Sequence, residues 1–378
     1  MNRKGDILIS IKKVRSKKDW KQFIDLPFRL YKDDANWIPP LKNDVFFKLN
    51  TEKHPFWEHS IREVFVAEKD GEVMGRIAAV IDDNYNKLWK EKMGAFGFFE
   101  CTNDYVVANV LFDAAYYWLK EHGANKMRGP LSPSQNEECG LLFKGFDSPP
   151  VMMMPYNPPY YLELVEQYGL KKAKDLFAFF KRSTDPPSPQ ISRAVERLKK
   201  HPDISTRHVD IKKLDSEAHL IKELYNESWQ MNWGFSPMTD KEFDLMVEEL
   251  ARIADPHLIW FAYYKDDPAG VSITLPDFNP ILKKLNGKLG PIGLIRFVLG
   301  KRKLVGTRAI VFGFRQKYRR FGLPALLYHE TEQAGLKRGY EWCELSWNLE
   351  DNDLINQFDE KVGGKLYKKY RIYEILIS

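Results

Sequence analysis

Two stretches of this chain, 195 residues apart, are written in the same order. FVAEKDGEVMG (65–75) reads as a strand, a turn and the start of a second strand, and WFAYYKDDPAG (260–270) has the same shape. Ala67 falls on Ala262 and Gly75 on Gly270, and further along Gly169 falls on Gly364, all at the same offset of 195. Three landmarks in one order read as an internal duplication, which limits the chain to two similar domains. A length of 378 residues is enough for each to bury a core of its own. The clearest break is STDPPSPQ (183–190), where clustered prolines stop regular structure. The expected division is a first domain at 1–182, a connection at 183–204 and a second domain at 205–378.

Composition narrows the class. Hydrophobic residues make up 44% and charged residues 29%, as in a globular protein. No run approaches the roughly 20 apolar residues of a membrane span. The apolar piece at 7–11 is too short for a signal sequence and reads as a first strand. Cys101, Cys139 and Cys343 are scattered and odd in number, which points to a reducing cytoplasm and away from a disulfide framework or a metal cluster. His54 and His59 lack a third ligand at a usual spacing, so no metal site is expected. The net charge of +6 comes with no nucleic-acid motif and suits a polyanionic small molecule.

Residues 308–338, RAIVFGFRQKYRRFGLPALLYHETEQAGLKR, carry the chemistry. An apolar strand (309–314) breaks into a basic turn (315–322) and enters a helix at Leu323. Turn amides and the unpaired first amides of a helix converge on one point, where the helix dipole adds positive charge. Arg319 and Arg320 strengthen this anion site. Proline at position 324 is compatible with a first helical turn, although it removes one N–H donor.

The spacing Arg319-x-x-Gly322-x-Pro324, preceded by Tyr318, resembles the acyl-CoA pyrophosphate loop of the GNAT superfamily of N-acyltransferases. Residues 352–364, NDLINQFDEKVGG, resemble the element that follows, with Asn352, Phe358 and Gly363 in register. Pro324, Ile355, Asp359 and Gly364 depart from the pattern. The resemblance implies an α/β (α+β) fold of two tandem GNAT-like domains, each a mixed, mostly antiparallel splayed sheet flanked by helices. Strand 176–180 would close the first sheet and strand 370–377 the second. In the first half, FFECTNDY (98–105) has neither glycine nor arginine. Glu100 and Asp104 there would repel a pyrophosphate, so its cofactor loop reads as degenerate.

The same resemblance implies an N-acyltransferase that moves an acyl group from acetyl-CoA or another acyl-CoA to a small-molecule or peptide amine by direct attack. Strand amides near Phe312, Gly313 and Phe314 would polarise the thioester carbonyl. Arg319, Arg320, Phe321, Gly322, Leu323 and Asn352 would hold the cofactor. Asp359 stands where the superfamily has an acid Tyr, Tyr367 is a nearby substitute, and Glu344 is a candidate base. Trp233, from Asn-Trp-Gly-Phe, together with Asp277 and Asn279, would meet the acceptor.

Residues 281–308 hold eight Lys/Arg and no acid around the apolar insert PIGLIRFVLG (291–300). Two readings stay open: an excursion whose apolar face packs on its own domain, or contact with an anionic membrane surface or acyl chain. A non-catalytic or membrane-peripheral binding module with the same fold is the alternative function.

Overall fold

A computed structural model describes residues 9–319 and 321–378. The chain divides into two compact units. One comprises residues up to Asp175 together with Ile281–Leu294 and Tyr370–Ser378; the other comprises Leu176–Pro280 and Ile295–Lys369.

In the first unit, strands Ile9–Lys13, Ser60–Lys69, Glu72–Asp82 and Met93–Cys101 pair antiparallel in that order. Met93–Cys101 then pairs parallel with Lys126–Gly129, whose other edge takes residues 373–376 antiparallel. Helix Tyr105–Glu121 covers one face. Asp104 starts it by accepting from the Val106 amide at 3.0 Å, and pairs with Lys69 at 3.0 Å. Val107, Leu111, Ala115 and Leu119 recur every four residues on this helix and are fully buried, with Phe96 and Ile77 of the sheet in the same core.

The second unit repeats this order. Ile204–His208, Ile259–Tyr264, Asp267–Pro276 and Gly306–Phe314 pair antiparallel, Gly306–Phe314 pairs parallel with Trp342–Leu349, and residues 176–182 complete the sheet antiparallel. Two of the repeat landmarks coincide to the residue. Ala67 faces Gly75 across its hairpin and Ala262 faces Gly270, and in both the register slips immediately after the alanine. The third landmark moves by one. Gly169 (φ +103) ends helix Tyr160–Tyr168, and its left-handed counterpart after helix Asp353–Lys361 is Gly363 (φ +98), not Gly364.

The last strands are traded relative to the sequence expectation. Residues 176–182 pair with Trp342–Leu349 in the second unit, and 373–376 pair with Lys126–Gly129 in the first. Each unit offers the same parallel-paired edge, so local pattern cannot say which strand closes which sheet. The proposed connection at 183–204 also holds helix Pro189–Lys199, whose Ile191, Val195 and Leu198 pack on Ala325 and Leu326 inside the second unit.

Between Pro276 and Gly306 the chain forms helices Asn279–Leu285 and Pro291–Gly300. The apolar face of Pro291–Gly300 does not pack on the protein. Gly293 is buried and Phe297 stacks on Phe278 at 5.1 Å, while Ile292, Leu294, Ile295, Val298 and Leu299 are 55–69% exposed. Among the described residues, no helix is long and apolar enough to cross a membrane.

Candidate functional site

Parallel pairing in the second unit covers only residues 306–309 against 342–345, although the two strands run on to Phe314 and Leu349. Opposite Asp267–Pro276 the register passes from Ala309 to Val311, so Ile310 is passed over in a bulge where the parallel pairing stops. A bulge bends a strand away from its neighbour. The two strands separate there, and a cleft of about 560 Å³ opens between them.

Gly322 (φ +82) caps helix Leu323–Lys337 at the cleft mouth. Left-handed backbone is what lets the chain turn here, and glycine alone adopts it without strain. The amides of Tyr318, Arg319 and Phe321 are taken up inside the turn, at 2.9, 3.4 and 3.1 Å. Those of Gly322 and Leu323 find no acceptor among the described residues. Pro324 contributes no N–H, so this helix start presents a pair of donors. Arg319 lines the mouth with its guanidinium pinned to the carbonyls of Phe314 (3.2 Å) and Ser228 (3.1 Å). Arg320 lies outside the described residues.

From Gly322 the cleft follows one face of the helix through Ala325, Tyr328, Glu332 and Leu336. Fourteen residues at 1.5 Å each give a length of about 21 Å. Phe312, Gly313 and Phe314 line the opposite strand, and Phe358 stacks on Phe312 at 5.5 Å. Gly313 is required by packing: a Cβ there would lie 2.2 Å from the Trp229 ring. Lys181, 3% exposed, pairs with Glu332, which also accepts from the Tyr328 hydroxyl at 2.8 Å.

Asp359 and Asn352 both line the cleft. Asp359 is 4% exposed, and burial pushes its carboxyl up to about 7 although Asn348 donates to it at 2.7 Å. A carboxyl so placed is half protonated at neutral pH, which makes it a proton donor as well as an acceptor.

Other sequence candidates lie elsewhere. Glu344 is fully buried and accepts from Tyr367 and Ser346, with Arg308 3.9 Å away; neither Glu344 nor Tyr367 lines the cleft. The strand's period of two turns Glu344 away from the face carrying Cys343 and Leu345. Asp277 and Asn279 are 5% and 6% exposed, and Asp277 accepts from the Asn279 amide at 3.2 Å as part of a helix start. Leu323 is core, whereas Phe321 is 47% exposed with its ring edge on Tyr318. Trp233 does not line the cleft; Trp229, Trp342 and Trp347 do, and Trp229 is the one that meets Gly313. Trp229 ends helix Leu214–Trp229 and stacks on Tyr225 at 4.9 Å, and only the glycine at 313 hinted at it.

The first unit also has a bulge, between Glu100 and Gly97, and its parallel pairing likewise stops at Ala95, but the opening is filled differently. Cys101 faces Gly75 as Phe314 faces Gly270, so Glu100 stands in the place of Gly313. Its carboxyl is raised by burial and held by Tyr31 (2.8 Å) and Tyr161 (2.7 Å), with Arg76 at 3.6 Å. The Phe98 amide is taken by Ser132 Oγ at 2.9 Å, and a Cβ on Gly97 would lie 1.7 Å from the Leu131 carbonyl. The chain's own residues 131–132 therefore occupy the opening.

The chain is 36% identical over 95% of its length to Protein YghO of Escherichia coli K12, covering 93% of that protein. It is 34% identical over 97% of its length to the bacterial ceramide synthase of Caulobacter vibrioides NA1000, covering 97% of it. Among solved structures it superposes with TM-score 0.57 on a tandem GNAT protein from the clavulanic acid biosynthesis pathway, at 11% identity, covering 98% of this chain and 99% of that one. A GCN5-related N-acetyltransferase from Sphaerobacter thermophilus gives TM-score 0.55 at 13% identity over 98% of this chain and 96% of that one. A GCN5-related glucosamine N-acetyltransferase region of a fungal β-N-acetylglucosaminidase gives 0.60 at 14% identity; this chain covers 39% of that protein. No protein-family model matches the chain.

Proposed function

Because the chain belongs to the GNAT superfamily of acyltransferases, we propose that its second unit transfers the acyl group of an acyl-CoA to an amine. The observation that carries the proposal is the splay beyond Ala309 and Leu345, which opens beside the Gly322 and Leu323 amides and the pinned Arg319. These groups would hold the diphosphate of the cosubstrate, and strand amides around Phe312 would polarise the thioester carbonyl.

Asp359 would carry the proton. The amine attacks the carbonyl carbon, and the tetrahedral adduct collapses with cleavage of the C–S bond. The protonated Asp359 carboxyl gives its proton to the leaving sulfur, and the carboxylate formed then takes the surplus proton from nitrogen. The residue ends as it began, which suits a group near pH 7. A ceramide is the amide of a fatty acid and a long-chain amine, so the named relative supports an amine acceptor. The length of the cleft supports acyl chains beyond acetyl.

Thermal unfolding with a series of acyl-CoAs tests the reading. Binding raises Tm, by about 2.7 kcal/mol of stabilisation at a hundredfold excess over Kd. Gly322→Asp places a carboxylate where the diphosphate sits and abolishes the shift. A wild-type Tm indifferent to acetyl-, decanoyl- and palmitoyl-CoA would falsify the assignment.

A further inference from the structure

We infer that helix Pro291–Gly300 is a membrane-docking element that lies in the headgroup region of an anionic bilayer. At 100° per residue, Gly293, Phe297 and Gly300 occupy about 60° of the helix circumference, and Ile292, Leu294, Ile295, Val298 and Leu299 about 160° centred on the opposite side. The covered side is the small one: Gly293 is buried, and Phe297 and Gly300 are half-buried. The outward side is aliphatic throughout, with exposures of 69, 55, 60, 58 and 63% in chain order, and Leu289 just before the helix is 52% exposed. A helix on the surface of a water-soluble domain shows the reverse pattern, polar outward and apolar inward. A contiguous aliphatic face of this kind marks a contact surface.

Charge selects the occupant. The flanks carry Lys284, Lys288, Arg302 and Lys303, and Arg296 sits on the helix itself; none has an acidic partner among the described residues. Residues 281–308 contain no Asp or Glu. An apolar patch bordered by uncompensated cations suits a surface that offers hydrocarbon beneath anionic headgroups. Ten residues are too few to cross the hydrocarbon core, so the helix lies in the plane of the interface. Lys301 instead holds the end of the helix to the protein, donating to the Arg252 carbonyl at 3.1 Å and covering the Phe297 ring at 5.2 Å. The aliphatic side chains enter below the headgroups while the flanking cations meet phosphates.

Vesicle flotation of the full chain, without any acyl-CoA, tests the inference separately from acyl transfer. The protein should float with vesicles containing about a third phosphatidylglycerol and remain behind with pure phosphatidylcholine. Ile295→Asp/Leu299→Asp, at exposed positions that leave Tm unchanged, should lower the partition coefficient at least about tenfold. Arg302→Glu/Lys303→Glu should lower it by a similar factor on anionic vesicles, and raised salt should weaken wild-type binding. Absence of flotation with anionic vesicles overturns the inference, as does flotation that the double aspartate variant shares. If sedimentation instead shows a dimer that Ile295→Asp/Leu299→Asp dissociates, with no vesicle binding, the face belongs to a second copy and the membrane reading is lost.

Discussion

Replacing Asp359 by Asn tests the buried carboxyl directly. The amide keeps the shape and can still accept from Asn348, but it cannot ionise. Burial holds the native carboxyl at about 7 against 3.8 in the unfolded chain. A carboxyl raised by folding binds its proton more tightly in the native state, so it contributes stability at low pH that is lost as pH rises from about 4 to about 7. Between pH 5 and 7 the loss is two units at 1.36 kcal/mol, or about 2.7 kcal/mol, and the ceiling over the whole interval is about 4 kcal/mol. The Asn variant escapes that loss. Its Tm advantage over wild type should therefore widen by about 5–10 °C between pH 5 and pH 8, given about 2–4 °C per kcal/mol for a unit of this size. Differential scanning calorimetry of both proteins at the two pH values reads it. Acyl transfer by the wild type should fall as pH rises past 7 and the acid form disappears, and the variant should lose turnover while still binding acyl-CoA. Parallel Tm curves would show that Asp359 is ionised and solvated in the folded protein, and the proton-carrying role would go with it.

Gly313→Ala forces a Cβ to within 2.2 Å of Trp229 and should cost about 1–3 kcal/mol; a drop in both Tm and acyl-CoA affinity is expected, and an unchanged affinity would mean that the ring does not border the ligand. Lys181→Met strands the Glu332 carboxylate and should cost about 3–5 kcal/mol, whereas Lys181→Met/Glu332→Gln should recover most of it, since the buried pair is weak evidence for stability by itself. Thermal unfolding of the single and double variants checks this.

The hairpin repeat was readable because its landmarks are forced by contact. Gly270 has no room for a side chain, since a Cβ would meet the Phe314 ring at 2.3 Å, and such a constraint leaves a residue signature. The Gly363–Gly364 pair misled by one position because either residue accepts left-handed backbone and nothing local says which does. The turn into helix Leu323–Lys337 was legible from Gly322, whose left-handed backbone suits glycine. Burial is a property of the assembled sheet, so the sequence singled out Asp359 without showing that its carboxyl would be raised, and it grouped Glu344 with it although that side chain does not line the cleft. Trp229 went unnoticed because a tryptophan at the end of an amphipathic helix looks like core. The aliphatic helix at 291–300 left two readings open because periodicity cannot reveal which face a neighbour will cover.

The traded closing strands have a consequence for synthesis. Strand Lys126–Gly129 has no partner on its second edge until residues 373–376 have been made, so one sheet carries an open margin while the more than 240 intervening residues are added. Residues 176–182 emerge early but must wait for Trp342–Leu349. Neither half can complete its sheet from its own stretch of sequence, so the closing of each is tied to the synthesis of the other.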